Sequence, residues 1–306
     1  MSEHLLKPIE DKNTNKNTTE DIFQQHDLIY VTSSMQGWRE TMEDKHTVEC
    51  NIPEFPDYSF FGVYDGHQGK HTSEYLSKNL HLNIFKKIHE IGEENIEEAI
   101  KDAFMQTDGD WKDESSNYSF ECNDGSTAVV TVITPNKIVY VGNAGDSRAV
   151  MSVGGLAIPL SEDHKPNIAR ESQRIIQAGS SPGGYNVSRA FGDFKWCKND
   201  PDKGPKEQIF IAYPDVMSHK VDTDTDFLVL ACDGIWDCMS SKDVINFINK
   251  DIKINKDLSK ACENLMNRCL ELGSTDNMTV IIIGFLHGLD KEKWMEGIGS
   301  RCVEEN

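Results

Sequence analysis

An α+β fold, with helices and strands gathered into separate layers, is predicted by three features of the sequence. Two long amphipathic segments follow one another between residues 72 and 111 with no strand between them. Residues 127–160 break into short β-branched runs separated by turn residues, the pattern of antiparallel hairpins. Strongly apolar β-type runs then lie on either side of further helical segments. A parallel α/β sheet would alternate strand and helix throughout.

Taken in order, residues 1–26 are polar, with the run Asp11-Lys12-Asn13-Thr14-Asn15-Lys16-Asn17, and are expected to be a flexible lead-in. Order is expected to begin near Leu28-Ile29-Tyr30-Val31, and an apolar strand runs from Tyr58 to Tyr64. Leu76, Leu80, Ile84 and Ile88 recur at four-residue steps in a helix over 72–91; Ile96, Ala99, Ile100, Ala103, Phe104, Thr107 and Trp111 mark a second. Strands are expected over 127–134 and 138–141, joined by Pro135-Asn136-Lys137, then over 149–153 and 156–160 about Gly154-Gly155. A helical segment within 161–178 can end at Gly179. Residues 191–214 are irregular and rich in Gly, Pro, Lys and Asp, long enough for a functional flap. The strand Phe227–Cys232 is followed by a helix opened by Ser240-Ser241-Lys242-Asp243, by a helix striped with Leu258, Ala261, Cys262, Leu265, Met266, Cys269 and Leu270, and by the strand Met278–Phe285. One folded domain over 27–288 is expected, with a tail over 289–306.

The chain of 306 residues, 38% hydrophobic, can bury a substantial core. Its 51 acidic and 31 basic residues give a formal charge of −20, which argues against DNA or another polyanion as the main partner. No run approaches the roughly 18 apolar residues of a membrane span, the Met-Ser-Glu-His start has no signal-peptide core, and Ser2 stands where myristoylation needs glycine. A soluble, intracellular monomer is expected, in the cytoplasm or also in the nucleus. The eight cysteines (Cys50, Cys122, Cys197, Cys232, Cys238, Cys262, Cys269 and Cys302) include no C-x-x-C pair and read as free thiols, several of them buried. The sequons at Asn117 and Asn277 carry no weight, since such triplets are frequent by chance.

The chemistry is concentrated where β-type runs meet carboxylates. In Gly62-Val63-Tyr64-Asp65-Gly66-His67-Gln68-Gly69 an apolar strand stops at Asp65; the alternative reading of this octapeptide is an Asp-Gly turn with an incidental histidine. Asp233 likewise follows a strand and Asp276 precedes one, while Glu43-Asp44 and Asp146 add further acids. Carboxylates converging without cations would repel one another, so the set makes sense around divalent metal, and oxygen-only ligands select Mg²⁺ or Mn²⁺. Two such ions could activate a water against an ester bearing negative oxygens. Arg39 supplies a planar fork suited to a phosphate dianion, and His67 could protonate a departing alkoxide. An ordinary surface arginine and a hydrogen-bonded turn histidine are the other readings. The run Asp222-Thr223-Asp224-Thr225-Asp226 is read as a solvated turn: its strand comes after it, and Phe227 stands where a calcium loop needs glycine.

Gly37-Trp38-Arg39 with Met42-Glu43-Asp44, Val63-Tyr64-Asp65-Gly66-His67, Gly125-Ser126-Thr127-Ala128, Gly145-Asp146-Ser147-Arg148, Asp163-His164-Lys165-Pro166, Ser188-Arg189-Ala190-Phe191-Gly192-Asp193, Asp233-Gly234-Ile235-Trp236-Asp237 and Asp276-Asn277-Met278-Thr279 together resemble the PPM (type 2C) metal-dependent serine/threonine protein phosphatases, in the family's order from about residue 28 to 286. The resemblance implies a central β-sandwich of two antiparallel sheets flanked by pairs of helices. It implies a dinuclear site in which Asp65 bridges, the Gly66 carbonyl ligates, and Glu43, Asp233 and Asp276 complete the set. Asp44 resembles the residue that hydrogen-bonds metal-bound water, Arg39 the phosphate clamp and His67 the general acid. Asp146 with Asp233 is similar to a weaker third-metal site, and Thr127 to a residue behind the ligands. The implied activity is hydrolysis of phosphoserine and phosphothreonine in phosphoprotein substrates, not nucleic acid. Between Gly179 and Ser188 the sequence departs from the family's longer strand-turn segment, which puts local strand pairing there in question. A non-catalytic relative that binds phosphoproteins is the main alternative; the acidic set that such a protein would have no reason to keep is whole. A nucleic-acid phosphoesterase is disfavoured by charge and by the lack of a basic, aromatic-rich strip.

Overall fold

The computed structural model describes residues 12–118 and 123–300. Strands β1 (Asn13–Phe23) and β2 (Leu28–Gly37) are followed by β3 (Lys45–Glu49), β4 (Ser59–Tyr64) and the short β5 (Gly66–His67). Helices α1 (His71–Ile91) and α2 (Ile96–Ser115) come next, then β6 (Gly125–Ser126) and the meander β7 (Ala128–Ile133), β8 (Ile138–Ala144), β9 (Arg148–Val153) and β10 (Leu156–Pro159). Helix α3 (Ala169–Gln177), β11 (Phe191–Gly192), α4 (Phe194–Cys197), β12 (Asp215–Lys220) and β13 (Thr225–Ala231) lead to α5 (Asp233–Trp236), α6 (Ser241–Asn255), α7 (Leu258–Glu271), β14 (Met278–Phe285) and α8 (Lys291–Ser300). The expected mixture of consecutive helices and antiparallel strands is present.

The described residues pack into two compact units interleaved in sequence. The first takes the chain up to residue 44, residues 149–159, and the chain from 221 onward. Its six-stranded sheet has the order β1-β2-β14-β13-β9-β10, with antiparallel β1–β2, β2–β14, β13–β14 and β9–β10 ladders. Alternate residues of the central strands, such as Ile29, Val31 and Met35, Phe227, Val229 and Ala231, and Val280 and Ile282, meet Val244, Ile248 and Ile252 of α6 and Leu258, Cys262 and Leu265 of α7 in one apolar core. The period of two in the strands and the 3.6-residue stripe of the helices place both apolar faces against each other. Ser240 caps α6 by accepting from the Asp243 N–H at 3.2 Å, as its sequence predicts.

Two expectations about the chain ends are corrected. Residues 13–23, read as flexible from composition, form β1, paired with β2 from Lys16↔Met35 to Phe23↔Leu28. An edge strand needs main-chain partners more than apolar side chains, and Glu20 adds anchors by accepting from the Ser259 N–H (3.2 Å) and Oγ–H (2.7 Å) and pairing with Lys291. Residues 291–300, read as a tail, form α8, whose Trp294, Met295 and Ile298 join the same core. Residues 1–11 and 301–306 of the expected lead-in and tail, with the Ser2 position, lie outside the described residues. Glu20→Ala is expected to cost about 1–3 kcal/mol, because Lys291 and the Ser259 N–H lose their acceptor. Faster amide hydrogen exchange confined to β1 and its β2 ladder is the measurement that checks it.

The second unit comprises residues 45–148 and 160–220. Its five-stranded sheet runs β12-β8-β7-β4-β3, all antiparallel, and a three-stranded sheet runs β11-β6-β5. Phe60 and Tyr64 of β4 and Val130 and Val132 of β7 pack against Leu76, Leu80, Ile84 and Ile88 of α1 and Ile100, Ala103 and Phe104 of α2. Helix α3 begins only at Ala169, and Gly179 ends it with φ +84°. Between Gly179 and Ser188 the chain forms a 3₁₀ turn at Pro182–Gly184.

The segment 191–214 has the short elements β11 and α4, and its Cys197 and Phe210 form a small apolar cluster with Ala190. Buried Lys198 ties it to α2, donating to Asp108 Oδ1 and Oδ2 at 2.8 and 2.7 Å and to the Ala190 carbonyl at 2.8 Å. In the first unit the Asp222–Asp226 run is a solvated turn only at its start. Asp226 is buried in β13, accepting from Ser152 Oγ (3.0 Å) and the Gly155 N–H (2.9 Å). Cys50, Cys197, Cys232, Cys262 and Cys269 are buried free thiols, Cys238 is partly buried, and Cys122 and Cys302 lie outside the described residues.

Candidate active site

In the first unit, the loop between β2 and residue 44 is stitched to the start of β14. Three of the four residues 276–279 each hold one part of it. Asp276 Oδ2 accepts from Arg39 Nη2 at 2.5 Å. Asn277 accepts from the Glu43 N–H with Oδ1 (2.8 Å) and donates through Nδ2 to the Gln36 and Thr41 carbonyls (2.8 and 2.9 Å). Thr279 donates its hydroxyl to Asp44 Oδ2 at 2.8 Å. Glu43 Oε1 accepts from Thr41 Oγ1 at 2.9 Å, so its carboxylate is oriented as well as its backbone.

Asp233 opens α5 two residues after β13, beside the same stretch: a Cβ added at Gly234 would lie 2.1 Å from the Asn277 carbonyl oxygen. The Cys232 N–H and thiol both meet the Thr279 backbone, at 3.2 and 3.1 Å. This unit therefore brings Arg39, Glu43, Asp44, Asp233 and Asp276 to the ends of three neighbouring strands, β2, β13 and β14. Asn277, which in the sequence stands inside the Asp276–Thr279 motif and a sequon, is the buried organiser of the group.

In the second unit, Asp65 ends β4 as expected. Its carbonyl accepts from the Thr127 N–H at 2.9 Å, and Thr127 Oγ1 lies 2.8 Å from Ser147 Oγ. Gly66 and His67 form β5, paired with Ser126 and Gly125. Asp146 is buried after β8 and pairs with Lys165 of the Asp163-His164-Lys165-Pro166 motif. Arg148 closes the same turn with two 2.8 Å bonds to Asp163. His164 is buried, its Nδ1 accepting from the Gly145 N–H at 3.1 Å; burial lowers its pKa, in keeping with a neutral ring.

His67 Nε2 lies 2.8 Å from Asp193 Oδ2, with the Asp193 side chain 3% exposed and His67 30%. Burial of the ring works against its proton, but the charge and hydrogen bond of Asp193, helped by Asp146 and Asp124, outweigh it and raise the pKa above the ordinary imidazole value. Asp193 and Asp124 have no role in the sequence reading. Asp193 ends the Ser188–Asp193 motif and Asp124 precedes the Gly125–Ala128 motif, but the pairing depends on strand register.

The protein phosphatase 2C family model matches residues 29–278. A protein phosphatase 2C homolog 2 of Hypocrea jecorina is 41% identical, over 99% of this chain and 71% of its own length. A probable protein phosphatase 2C of Caenorhabditis elegans is also 41% identical, over 94% of this chain and 81% of its own. The crystal structure of a phosphatase from a pathogenic strain of Toxoplasma gondii superimposes with a TM-score of 0.74 at 25% identity, covering 89% of this chain and 95% of that one. Among the described residues no helix is long and apolar enough to cross a membrane. The chain belongs to the protein phosphatase 2C family of metal-dependent serine/threonine protein phosphatases.

Proposed function

We propose that this phosphatase cleaves phosphoserine and phosphothreonine esters in proteins with two divalent ions, Mg²⁺ or Mn²⁺, held by Glu43, Asp65, the Gly66 carbonyl, Asp233 and Asp276. A weaker third site would use Asp146 with Asp233. The observation that carries the reading is the donor set: within each unit the candidate groups are oxygens set at strand ends, and two of the acids already hold protein cations, Asp276 with Arg39 and Asp146 with Lys165. Such oxygen donors suit hard cations rather than zinc or copper. The ions, when bound, supply the positive charge that activates water and offsets charge developing on the phosphoryl oxygens.

The chain's own residues do the rest. Asp44, one oxygen held by Thr279, orients a water through the other. Arg39, whose side chain keeps 39% of its surface exposed, binds the substrate's phosphate dianion. His67 gives its proton to the departing seryl or threonyl oxygen. Arg39→Ala is expected to lower kcat/KM on a phosphothreonine peptide about 10²-fold, largely through KM if the clamp acts in the ground state. Steady-state phosphate release measures this, and an unchanged kcat/KM removes the clamp from the reading.

A further inference from the structure

The three-stranded sheet β11-β6-β5 buries Phe191 in the core of the second unit, and its register also brings two polar side chains together. His67 of β5 lies opposite Gly125 of β6, and Gly192 of β11 lies opposite the same Gly125 from the other side. Asp193 follows Gly192, and both residues have positive φ, +53° and +74° respectively, which turns the chain so that the carboxylate comes back over Gly125. A Cβ on Gly125 would lie 2.2 Å from Asp193 Oδ2 and 2.4 Å from His67 Nε2. Only glycine at this position lets the two side chains meet there.

The Asp193 backbone is held at both ends. Its N–H donates to the Asp124 carbonyl at 3.1 Å and its carbonyl accepts from the Cys197 N–H at 3.0 Å. Asp108 holds the preceding residue, accepting from the Gly192 N–H at 2.9 Å, and is itself paired with Lys198. A left-handed aspartate costs free energy that its surroundings must offset, and such positions concentrate where geometry matters for function.

We propose that Asp193 is the positioning residue for His67: by accepting a hydrogen bond from Nε2–H it fixes the ring so that Nδ1 faces the leaving oxygen. This rests on the general-acid role of His67 proposed above. In the step served, the water oxygen forms the new P–O bond and the substrate Oγ departs with the old bonding pair. Oγ takes the proton from Nδ1, leaving a neutral ring with Nε2–H still on Asp193. The proton shed by the water passes to solvent, from which the ring is recharged.

The test compares wild type, Asp193→Ala, Asp193→Asn and His67→Ala on two substrates: a phosphothreonine peptide, whose alkoxide needs a proton, and p-nitrophenyl phosphate, whose phenolate does not. For Asp193→Ala a loss in kcat of about tenfold or more is expected on the peptide and under threefold on the aryl ester, with KM little changed. Asp193→Asn, whose amide oxygen can accept the same bond, is expected to recover part of the peptide rate. Equal losses on both substrates, or no loss on either, overturn the proposal if His67→Ala is itself selective for the peptide. If His67→Ala is not selective, the general-acid reading fails and the proposal falls with it. A long-range ¹H–¹⁵N spectrum of the wild-type protein decides independently of how the variants fold: a protonated Nε2 on His67 is expected, and a bare Nε2 overturns the assignment.

Discussion

Arg189→Ala is expected to lower stability at neutral pH by about 3–5 kcal/mol, the range for removing one partner of a buried ion pair. Arg189 is buried between two carboxylates. It donates to Glu171 Oε1 at 2.6 Å through Nη2, and to Asp215 Oδ1 and the Tyr213 carbonyl, both at 2.9 Å, through Nη1. Glu171 also accepts from Arg174 at 3.0 Å and from Ser188 Oγ at 2.9 Å, so one residue of α3 holds the segment that leads into β11. Burial alone would raise the Glu171 pKa, but the hydrogen bonds and charges of Arg189 and Arg174 prevail and lower it to about 2. Partial burial alone would raise the Asp215 pKa, but His164, the same guanidinium and Arg170 hold it well below the usual carboxylate range.

A depressed carboxylate pKa stabilises the fold above the unfolded-state value, near 4.3 for glutamate, and that stability is lost as pH falls toward the folded-state value. Wild type should therefore lose stability steeply between about pH 5 and pH 2. The variant, with its carboxylates no longer depressed to the same extent, should have a shallower slope. Urea unfolding at pH 7 and pH 3 measures this. A difference between the proteins that narrows on acidification is expected, and one that stays constant removes the ion-pair explanation.

Much of the candidate site is legible in the sequence because it depends on local contrast. Asp65, Asp233 and Asp276 stand out as carboxylates at the borders of strong apolar runs, and the structure sets each within two residues of the end or start of a strand. The amphipathic stripes of α1, α2, α6 and α7 likewise announce themselves by period. What escapes is whatever depends on partners distant in the chain. Strand β1 has the composition of a disordered segment and is ordered by the β2 ladder and by Ser259 and Lys291. Helix α8 is short, and its apolar residues become a face only against the core of the first unit. Asn277, Asp193 and the Asp108–Lys198 pair are polar residues whose burial follows from tertiary register. No window of sequence holds both members of those contacts.

The largest effect on activity is expected from the metal. Carboxylates such as Asp44 and Asp146 are buried, and a buried charge is retained only with compensating charge or hydrogen bonds. Lys165 and Thr279 provide part of this for Asp146 and Asp44. Divalent ions would complete the balance and make the acids a working site rather than a liability. Asp65→Asn keeps the shape of the side chain while removing one negative charge, so its effect reports on cation binding rather than on packing.

The direct test is phosphate release from a phosphothreonine peptide with Mn²⁺ or Mg²⁺, with and without EDTA, comparing wild type with Asp65→Asn and Asp233→Asn. Release that stops in EDTA and falls on the order of a hundredfold or more in each variant is the predicted result. Full activity in EDTA, or unchanged rates in both variants, would contradict the metal mechanism.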